Sequence, residues 1–346
     1  MKTQGSLALL AALAALVGAS GCGHHNTPNT PAAADAAAPS IHKPEPAFIA
    51  PDQLEKAKVN ETGVVPILEY HDIGPTENPK KYMRSVENFR KDLQRLYDEG
   101  YRPVLLSHFL DNRIDAPLGT TPVIFTFDDA KESQFRYLPD GTLDPNCALG
   151  IMKDFAAAHP DFPVRATFFV LPDVGFVQRG MAAKKMQAIL AMGCELGNHT
   201  VTHHSLRAMS DAEVQQELGL AVAKILKLAP NAKIDTIALP YGISPKNKDL
   251  LASGSYQGQA YANRAVLLVG ANPALPPTAP KFNPMRLPRI QASDIPSAST
   301  VWLDHLKEYP GERYVSDGDP ATVTAPKSKA AKVDQSKLNG ATLRLY

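Results

Sequence analysis

The stretch 122–129, P-V-I-F-T-F-D-D, places two acidic side chains directly after an uncharged run of residues. A short, largely apolar run of this kind predicts a β-strand buried on both faces, as in a parallel sheet. Adjacent carboxylates at the end of such a strand are costly unless a cation or another charged group lies beside them. The stretch therefore indicates a parallel sheet with charge chemistry at a strand end, although an Asp-Asp pair alone is also typical of an ordinary turn.

Further β-rich runs lie on either side of this strand, and helical patterns separate them. The runs are residues 64–70, 102–106, 165–171, 236–239, 265–269 and 286–291. The clearest helix begins at Ser210, which forms a capping box with Glu213 ahead of an apolar stripe. This alternation predicts an α/β fold with parallel strands and crossover helices, and a barrel-like closure fits it. Such barrels carry their chemistry on the loops that follow the strands.

Two further polar clusters follow the later strand-like runs. Residues 197–204 read G-N-H-T-V-T-H-H, and the imidazoles of His199 and His203 can converge on one ion if the backbone turns between them. Residues 239–242 read L-P-Y-G, a strand end followed by a rigid turn that can aim a backbone N–H into the same cleft. Each cluster alone is also compatible with an ordinary loop.

The order of these motifs resembles that of the polysaccharide deacetylase family, whose domain is also called the chitooligosaccharide deacetylase homology domain. The family motif T-F-D-D-G is matched by T-F-D-D-A at 126–130, H-[S/T]-x-x-H by residues 199–203, and R-x-P-Y-G by A-L-P-Y-G at 238–242. The segment Y-H-D-I-G at 70–74 is similar to a common entry to the domain. The resemblance covers about residues 64–300 and implies a distorted (β/α) barrel of the polysaccharide deacetylase type.

The resemblance also implies a role for each motif residue. Asp129, His199 and His203 would bind one divalent metal ion and leave positions open for water and substrate. Asp128 would be the general base for the attacking water, and the backbone N–H of Tyr241 would stabilise the oxyanion. Two imidazoles and a carboxylate suit zinc best, and they also suit iron, cobalt or nickel.

Two motif positions depart from the family pattern. Ala130 replaces the motif glycine, so we expect the backbone there to avoid a conformation that only glycine adopts. Ala238 occupies the position of the arginine that steadies the catalytic aspartate in the family. Arg286 or Arg289, in a later strand-like run, would supply the missing charge unless both are surface residues.

The histidine that usually donates a proton to the leaving amine is also absent. The family has a late Leu-x-His, whereas residues 267–270 read L-L-V-G. His71 is the substitute candidate, because it closes the first strand and would point toward the same cleft; a structural, hydrogen-bonded histidine is the alternative. His204 is interpreted as a neighbour of the site, and His305 as a packing or surface residue.

The predicted function is metal-dependent removal of N-acetyl groups from an extracytoplasmic polysaccharide, such as peptidoglycan, a chitin-like polymer or poly-N-acetylglucosamine. The missing arginine and histidine keep a second hypothesis open, a catalytically weakened lipoprotein that binds glycan without cutting it. A third hypothesis is hydrolysis of O-acetyl esters or cyclic amides with the same metal. The expected partner is an N-acetylated glycan substrate.

The first 22 residues predict export as a lipoprotein. Lys2 precedes the apolar run 7–17, which is too short to span a membrane, where about 20 residues are needed. The following A-S-G-C resembles a bacterial lipobox, so a lipid on Cys22 would anchor the protein to a membrane facing the periplasm or the cell exterior. Ala19 is weaker there than the usual leucine, which keeps a soluble secretory signal as the alternative.

The rest of the chain divides by composition. Residues 23–50 predict a disordered tether, 51–311 the catalytic domain, and 312–346 a small peripheral C-terminal extension. With 36 basic and 35 acidic residues the net charge is +1, which implies no affinity for nucleic acid. Cys147 and Cys194 would either pair in an oxidising compartment or stay as buried thiols. The oligomeric state is left open.

Overall fold

The computed structural model describes residues 49–346, so the predicted signal sequence, Cys22 and nearly all of the predicted tether lie outside the described residues. The strands in this range are β1 Ile67–Tyr70, β2 Asp72–Gly74, β3 Met83–Ser85, β4 Tyr101–Pro103, β5 Thr121–Phe127, β6 Thr167–Val170, β7 Glu195–Asn198, β8 Thr236–Ala238, β9 Ser253–Tyr256, β10 Gln259–Ala262, β11 Ala265–Leu267, β12 Ile290–Gln291, β13 Thr322–Ala325 and β14 Thr342–Leu345. The α-helices are α1 Pro51–Ala57, α2 Val86–Asp98, α3 Leu106–Leu110, α4 Ala148–Ala158, α5 Ala182–Ala191, α6 Asp211–Leu228 and α7 Ser299–Glu308. Among the described residues, none of the helices has the length and apolarity needed to cross a lipid bilayer.

One curled sheet of 8 strands organises the molecule. Its order is β11-β8-β7-β6-β5-β1-β12, β4 pairs with the start of β5, and every pairing in it is parallel. Because parallel strands end at the same edge, the loops after β1, β5, β7 and β8 meet at one end of the sheet. The predicted α/β fold with a parallel, barrel-like sheet is confirmed.

The segment that leads into β12 brings the two ends of the sheet together. Leu268 N donates to Leu287 O at 2.9 Å, and Leu287 N donates to Val266 O at 2.9 Å, so this segment lies beside β11. Three residues later Ile290 pairs with Leu68 of β1. The residues between, which include Arg289, therefore lie where the curled sheet closes on itself.

The side chains of β5 alternate between two apolar cores, which explains why this strand is largely apolar. Phe125 and Phe127 pack in the core under the helices, where the ring of Phe127 stacks on Phe168 with centroids 5.0 Å apart. Ile124 faces the opposite core together with Phe169. Packing on both faces fixes the strand, and it fixes the position of the acidic pair at its end.

The helix predicted from the Ser210 capping box is α6, and its start is confirmed. Ser210 Oγ accepts the backbone N–H of Glu213 at 3.4 Å, while the Glu213 carboxylate accepts the backbone N–H of Ser210 at 2.7 Å. The buried face of α6 carries the predicted apolar residues and one charged residue, Glu217. That glutamate reaches the functional site, as described below.

The two cysteines of the described range are buried and do not form a disulfide. Cys147 precedes α4 and Cys194 precedes β7. Burial raises the pKa of the Cys194 thiol to about 12, so the reactive thiolate form is scarce at neutral pH. The sequence left open a disulfide or two buried thiols, and the structure contains the two buried thiols.

Residues 312–346 are tied to the first residues of the described chain. The Glu61 carboxylate accepts the backbone N–H of Asp317 at 3.1 Å and that of Thr324 at 2.7 Å. Strands β13 and β14 pair in parallel with each other. The hydrogen bonds to Glu61 therefore connect residues 312–346 to the chain that precedes the barrel. The domain boundary at residue 311 stays a prediction.

Candidate active site

Three side chains converge where β5 and β7 end. Asp129 Oδ1 lies 3.3 Å from His199 Nε2 and 3.4 Å from His203 Nε2. Within the described chain, Asp129 Oδ1 and His199 Nε2 are buried without a hydrogen-bond partner. Ligand atoms held about 2 Å from a tetrahedral ion are roughly 3.3 Å apart, so these unpaired atoms fit a single divalent metal ion.

The His199 ring is fixed by the backbone of β8. Its Nδ1 lies 2.8 Å from the carbonyl oxygen of Ala238. A carbonyl oxygen can only accept a hydrogen bond, so the ring carries its hydrogen on Nδ1. The lone pair of Nε2 then points toward Asp129. Ala238, which stands in place of the family arginine, therefore orients the His199 ring through its backbone carbonyl.

The loop between the two histidines is held by Glu217 of α6. The Glu217 carboxylate accepts the backbone N–H groups of Val201 and Thr202 and the hydroxyl of Thr202, each at 2.9 Å. Asn198 Oδ1 accepts the backbone N–H of Thr200 at 2.8 Å. These bonds curl the chain so that two histidines four positions apart face one point.

Several non-glycine residues of the site have positive φ angles. The values are 75° at Asp129, 52° at Ala130, 68° at Thr200, 58° at His203 and 59° at Tyr241. Left-handed backbone costs roughly 1–2 kcal/mol for an L-residue, and such strain persists only where the surrounding contacts enforce it. Ala130 therefore has a left-handed backbone, which favours glycine but is not restricted to it, and the turn after β5 imposes this conformation on alanine.

Asp128 is buried and paired with Arg289. Arg289 Nη1 donates to Asp128 Oδ1 at 2.8 Å and Nη2 donates to Oδ2 at 2.7 Å. Burial alone would raise the pKa of Asp128, but the charge of Arg289 outweighs it and holds that pKa below its ordinary value. Asp128 is thus ionised and fixed in orientation, as a general base requires. Arg286, the other candidate, is exposed.

His71 also lies beside Asp128. Its Nε2 is 4.0 Å from Asp128 Oδ2 and 3.7 Å from Glu69 Oε1, and its ring packs on Tyr82 with centroids 4.8 Å apart. Burial is the largest influence on His71 and lowers its pKa. The structure therefore brings His71 to the cleft, as predicted for a proton donor. His204 is exposed, and His305 pairs with Glu312 at 2.9 Å.

These residues line one pocket of about 160 Å³. Tyr241, on the turn after β8, packs its ring on His203 with centroids 4.9 Å apart and is mostly exposed. The pocket is lined by Glu69, His71, Tyr82, Asp128, Asp129, His199, His203, Leu239, Tyr241 and Val269. Larger depressions of about 610 Å³ and 390 Å³ lie elsewhere, and among the described residues neither holds a group of potential metal ligands.

Glu69 and Glu217 are two site residues that the sequence analysis missed. Glu217 had a detectable signal, because it is a charge inside the apolar stripe of an amphipathic helix. Glu69 had a similar one, as the only acidic residue in the strand-like run 64–70. Both signals mark a buried carboxylate, which needs a partner in the fold.

Comparison with protein families gives a match to polysaccharide deacetylase over residues 116–260. The chitooligosaccharide deacetylase of Bradyrhizobium sp. (strain ANU 289) is 30% identical over 148 residues, covering 43% of this chain and 58% of the relative. That of Sinorhizobium fredii is 30% identical over 152 residues, covering 43% of this chain and 59% of the relative. The chain thus spans less than two-thirds of the length of these curated relatives.

Two solved structures are similar in fold. The Streptococcus pyogenes deacetylase PplD, determined in complex with acetate, has a TM-score of 0.51 and 20% identity, covering 66% of this chain and 92% of that one. The Bacillus cereus polysaccharide deacetylase BC0361 has a TM-score of 0.50 and 18% identity, covering 66% and 64%. The motif residues 126–130, 199–203 and 238–242 all fall within the matched segment. Over residues 116–260, this chain is similar to the polysaccharide deacetylase family.

Proposed function

We propose that this chain is a metal-dependent hydrolase that removes N-acetyl groups from an extracytoplasmic polysaccharide. The observation that carries the proposal is the convergence of Asp129, His199 and His203 beside Asp128, which is ion-paired to Arg289. The family match supports the reaction class. The curated relatives are named as chitooligosaccharide deacetylases, which favours an N-acetylated glycan as the substrate.

Each of these residues has its own role in the proposed reaction. A divalent metal held by Asp129, His199 and His203, for which zinc is the best-suited ion, would polarise the amide carbonyl and acidify a water molecule. Asp128 accepts the proton of the attacking water, because its carboxylate is ionised and held by Arg289. The backbone N–H of Tyr241 donates to the oxyanion, and His71 donates a proton to the departing amine.

The size of the pocket fits this division. Its volume of about 160 Å³ equals roughly five water molecules at ~30 Å³ each, enough for an acetamido group. The sugar would lie on the rim, where Tyr82 and Tyr241 are exposed. Exposed aromatic rings offer apolar faces with a polar edge, and these suit the faces of a sugar.

The deciding experiment measures metal content and acetate release on the purified chain. We expect about one divalent metal ion per chain and release of acetate from N-acetylglucosamine oligomers. Asp128→Asn should keep the metal and lose at least ~100-fold in kcat, the usual effect of removing a general base. Metal-loaded protein that binds the oligomers and releases no acetate would favour the glycan-binding hypothesis. Faster release from O-acetylated glycans would favour an esterase.

We also propose that the protein is exported and anchored by a lipid on Cys22. The support is the sequence 19–22, A-S-G-C, after a short apolar run, which lies outside the described residues. Metabolic labelling with a radioactive fatty acid should label the wild type and not Cys22→Ser. Labelling of both, or of neither, would contradict the anchor; a processed, unlabelled protein in the medium would indicate the soluble secretory alternative.

A further inference from the structure

Lys185 of α5 is a lysine without access to solvent. It is 0% exposed, and within the described chain no carboxylate forms an ion pair with it. Its ammonium donates to the backbone carbonyl of Phe176 at 2.7 Å and lies 5.9 Å from the centre of the Phe135 ring. Removing an ammonium from water is costly, and burial lowers the pKa of Lys185 to about 8. Packing alone gives no reason for a lysine at this position, because an apolar residue would suit a buried helix face better.

The partner of Lys185 lies in a strained loop between β6 and α5. The φ angle is 62° at Phe176 and 65° at Val177, and positive values are uncommon for bulky or β-branched residues. Such a backbone persists only where other contacts hold it. The Phe176 ring is buried near Phe135 and Phe168, with centroids 6.2 and 6.0 Å away. The second contact is the hydrogen bond from Lys185, and bonds with a charged donor are stronger than neutral ones.

This loop also contacts the turn that carries the acidic pair. Phe176 N donates to Ala130 O at 2.9 Å. Ala130 and Asp129 both have left-handed backbone, with φ angles of 52° and 75°. Asp129 is the carboxylate whose Oδ1 lies 3.3 Å from His199 Nε2. Two successive hydrogen bonds, one to the carbonyl of Phe176 and one from its N–H, therefore connect Lys185 to the turn of Asp129.

A direct catalytic role and a purely structural role are the competing explanations for Lys185. Among the described residues that line the active-site pocket, Lys185 is not included, and its ammonium is bonded to backbone. It therefore acts only through the segment that it holds. A purely structural role does not explain the charge, because replacing a buried charged group with an apolar one of similar volume is often neutral or stabilising.

We propose that Lys185 is a positioning residue for the metal site, which holds the Phe176 loop so that the turn at 129–130 presents Asp129 to the two metal-binding histidines. This inference rests on the proposed metal-dependent hydrolysis. Left-handed backbone relaxes when nothing enforces it, so loss of the Lys185 hydrogen bond loosens the turn and lets the carboxylate leave its place. Lys185 thus affects the affinity for metal and the rate of the chemical step, and leaves sugar binding at the rim unaffected.

Lys185→Met tests the proposal, because methionine is apolar, similar in size and unable to donate to Phe176. Zinc titration of the metal-free protein against a chromophoric chelator should give a Kd raised by about 10-fold, the lower end of the effect of losing an outer contact of a metal ligand. At saturating zinc, kcat for N-acetylglucosamine oligomers should fall by about 10-fold while KM changes by less than about 3-fold. The urea midpoint of the metal-free variant should not fall below that of the wild type.

Lys184→Met is the matched control. Lys184 is the neighbouring lysine of α5, is exposed, and has its ammonium 4.3 Å from the centre of the Tyr137 ring. The control should leave the zinc Kd, kcat and the urea midpoint unchanged. An unchanged zinc Kd and kcat in Lys185→Met would overturn the positioning role, whatever the stability of the variant. Wild-type protein that binds zinc and releases no acetate would refute the proposed function, whereas the comparison of zinc Kd values would still decide the role of Lys185.

A measurement on the wild type decides if Lys185→Met does not fold. The proposal requires the hydrogen bond from Phe176 N to Ala130 O to be present before metal binds. Amide hydrogen exchange of the metal-free protein should therefore be slow at Phe176. Exchange at the rate of an exposed amide would overturn the proposal, because the loop would then not hold the turn.

Discussion

Arg289 and Asp128 are 161 positions apart in sequence and form a two-pronged, buried ion pair, with N–O distances of 2.8 and 2.7 Å. The guanidinium enters from the segment that closes the curled sheet. It brings to Asp128 the positive charge that the family takes from the position occupied here by Ala238. A residue of the segment before β12 thus supplies the charged contact that the family motif led us to expect from position 238.

Replacing Arg289 with methionine leaves the Asp128 carboxylate buried without its cation. We expect the free energy of unfolding to fall by about 3–5 kcal/mol, because loss of one partner of a buried pair exposes the full desolvation cost of the other. Urea unfolding followed by circular dichroism measures this. Adding Asp128→Asn to Arg289→Met should recover part of the loss. A single variant within about 1 kcal/mol of the wild type would contradict the buried pair.

Loss of the His203 imidazole should remove the bound metal. In His203→Ala only Asp129 and His199 remain as ligands, so we expect metal retention after dialysis to fall by at least ~10-fold. Elemental analysis of the purified protein gives the stoichiometry. His204→Ala is the matched control, because this neighbouring histidine is exposed and should leave the metal content unchanged. Equal metal loss in both variants would argue against the ligand set.

Tyr82 is expected to bind the sugar at the rim of the pocket. Its side chain is 41% exposed and packs on the His71 ring. In Tyr82→Ala, KM for N-acetylglucosamine oligomers should rise about 3- to 10-fold, in line with the ~0.5–1.5 kcal/mol of an aromatic contact. Steady-state kinetics measures the change. Tyr309, which follows α7, is also exposed, so Tyr309→Ala is the control and should leave KM unchanged. A fall in kcat at constant KM in Tyr82→Ala would instead indicate that Tyr82 orients His71.

Asp115 is expected to make stability depend on pH in the acid range. Burial alone would raise its pKa, but hydrogen bonds from His108 and Arg165 outweigh burial and hold the pKa at about 2. The unfolded value is about 3.9, so the contribution is fully present above pH 4 and is lost as the pH falls toward 2. Allowing for solvent screening of this partly exposed group, we expect roughly 1 kcal/mol.

The measurement is urea unfolding of the wild type and Asp115→Asn between pH 5 and 2. The difference in unfolding free energy between them should shrink as the pH falls. His108 does not disturb the comparison in this range, because it is protonated in both the folded and the unfolded chain. A constant difference across the series would show that Asp115 is not held ionised by its two partners.

The sequence by itself determined the parallel barrel and the identity of the central residues. Residues 122–129 combine a doubly buried strand with two carboxylates, and His199 and His203 follow another strand end. Because parallel strands finish at one edge, side chains that directly follow them are brought together whatever the details of packing. The hydrophobic pattern and these local spacings are properties of short segments, so they can be read without coordinates.

Only the tertiary structure decided which distant groups complete the site. Arg286 and Arg289 are alike in sequence, and the closure of the sheet between β11 and β1 selects Arg289. Packing between segments far apart in the chain also decides three other features. They are the burial of Glu69 without a hydrogen bond, the hydrogen bonds from the histidine loop to Glu217, and the left-handed backbone at Ala130. Burial, charge pairing and strain are properties of an environment, and that environment exists only once the sheet has closed.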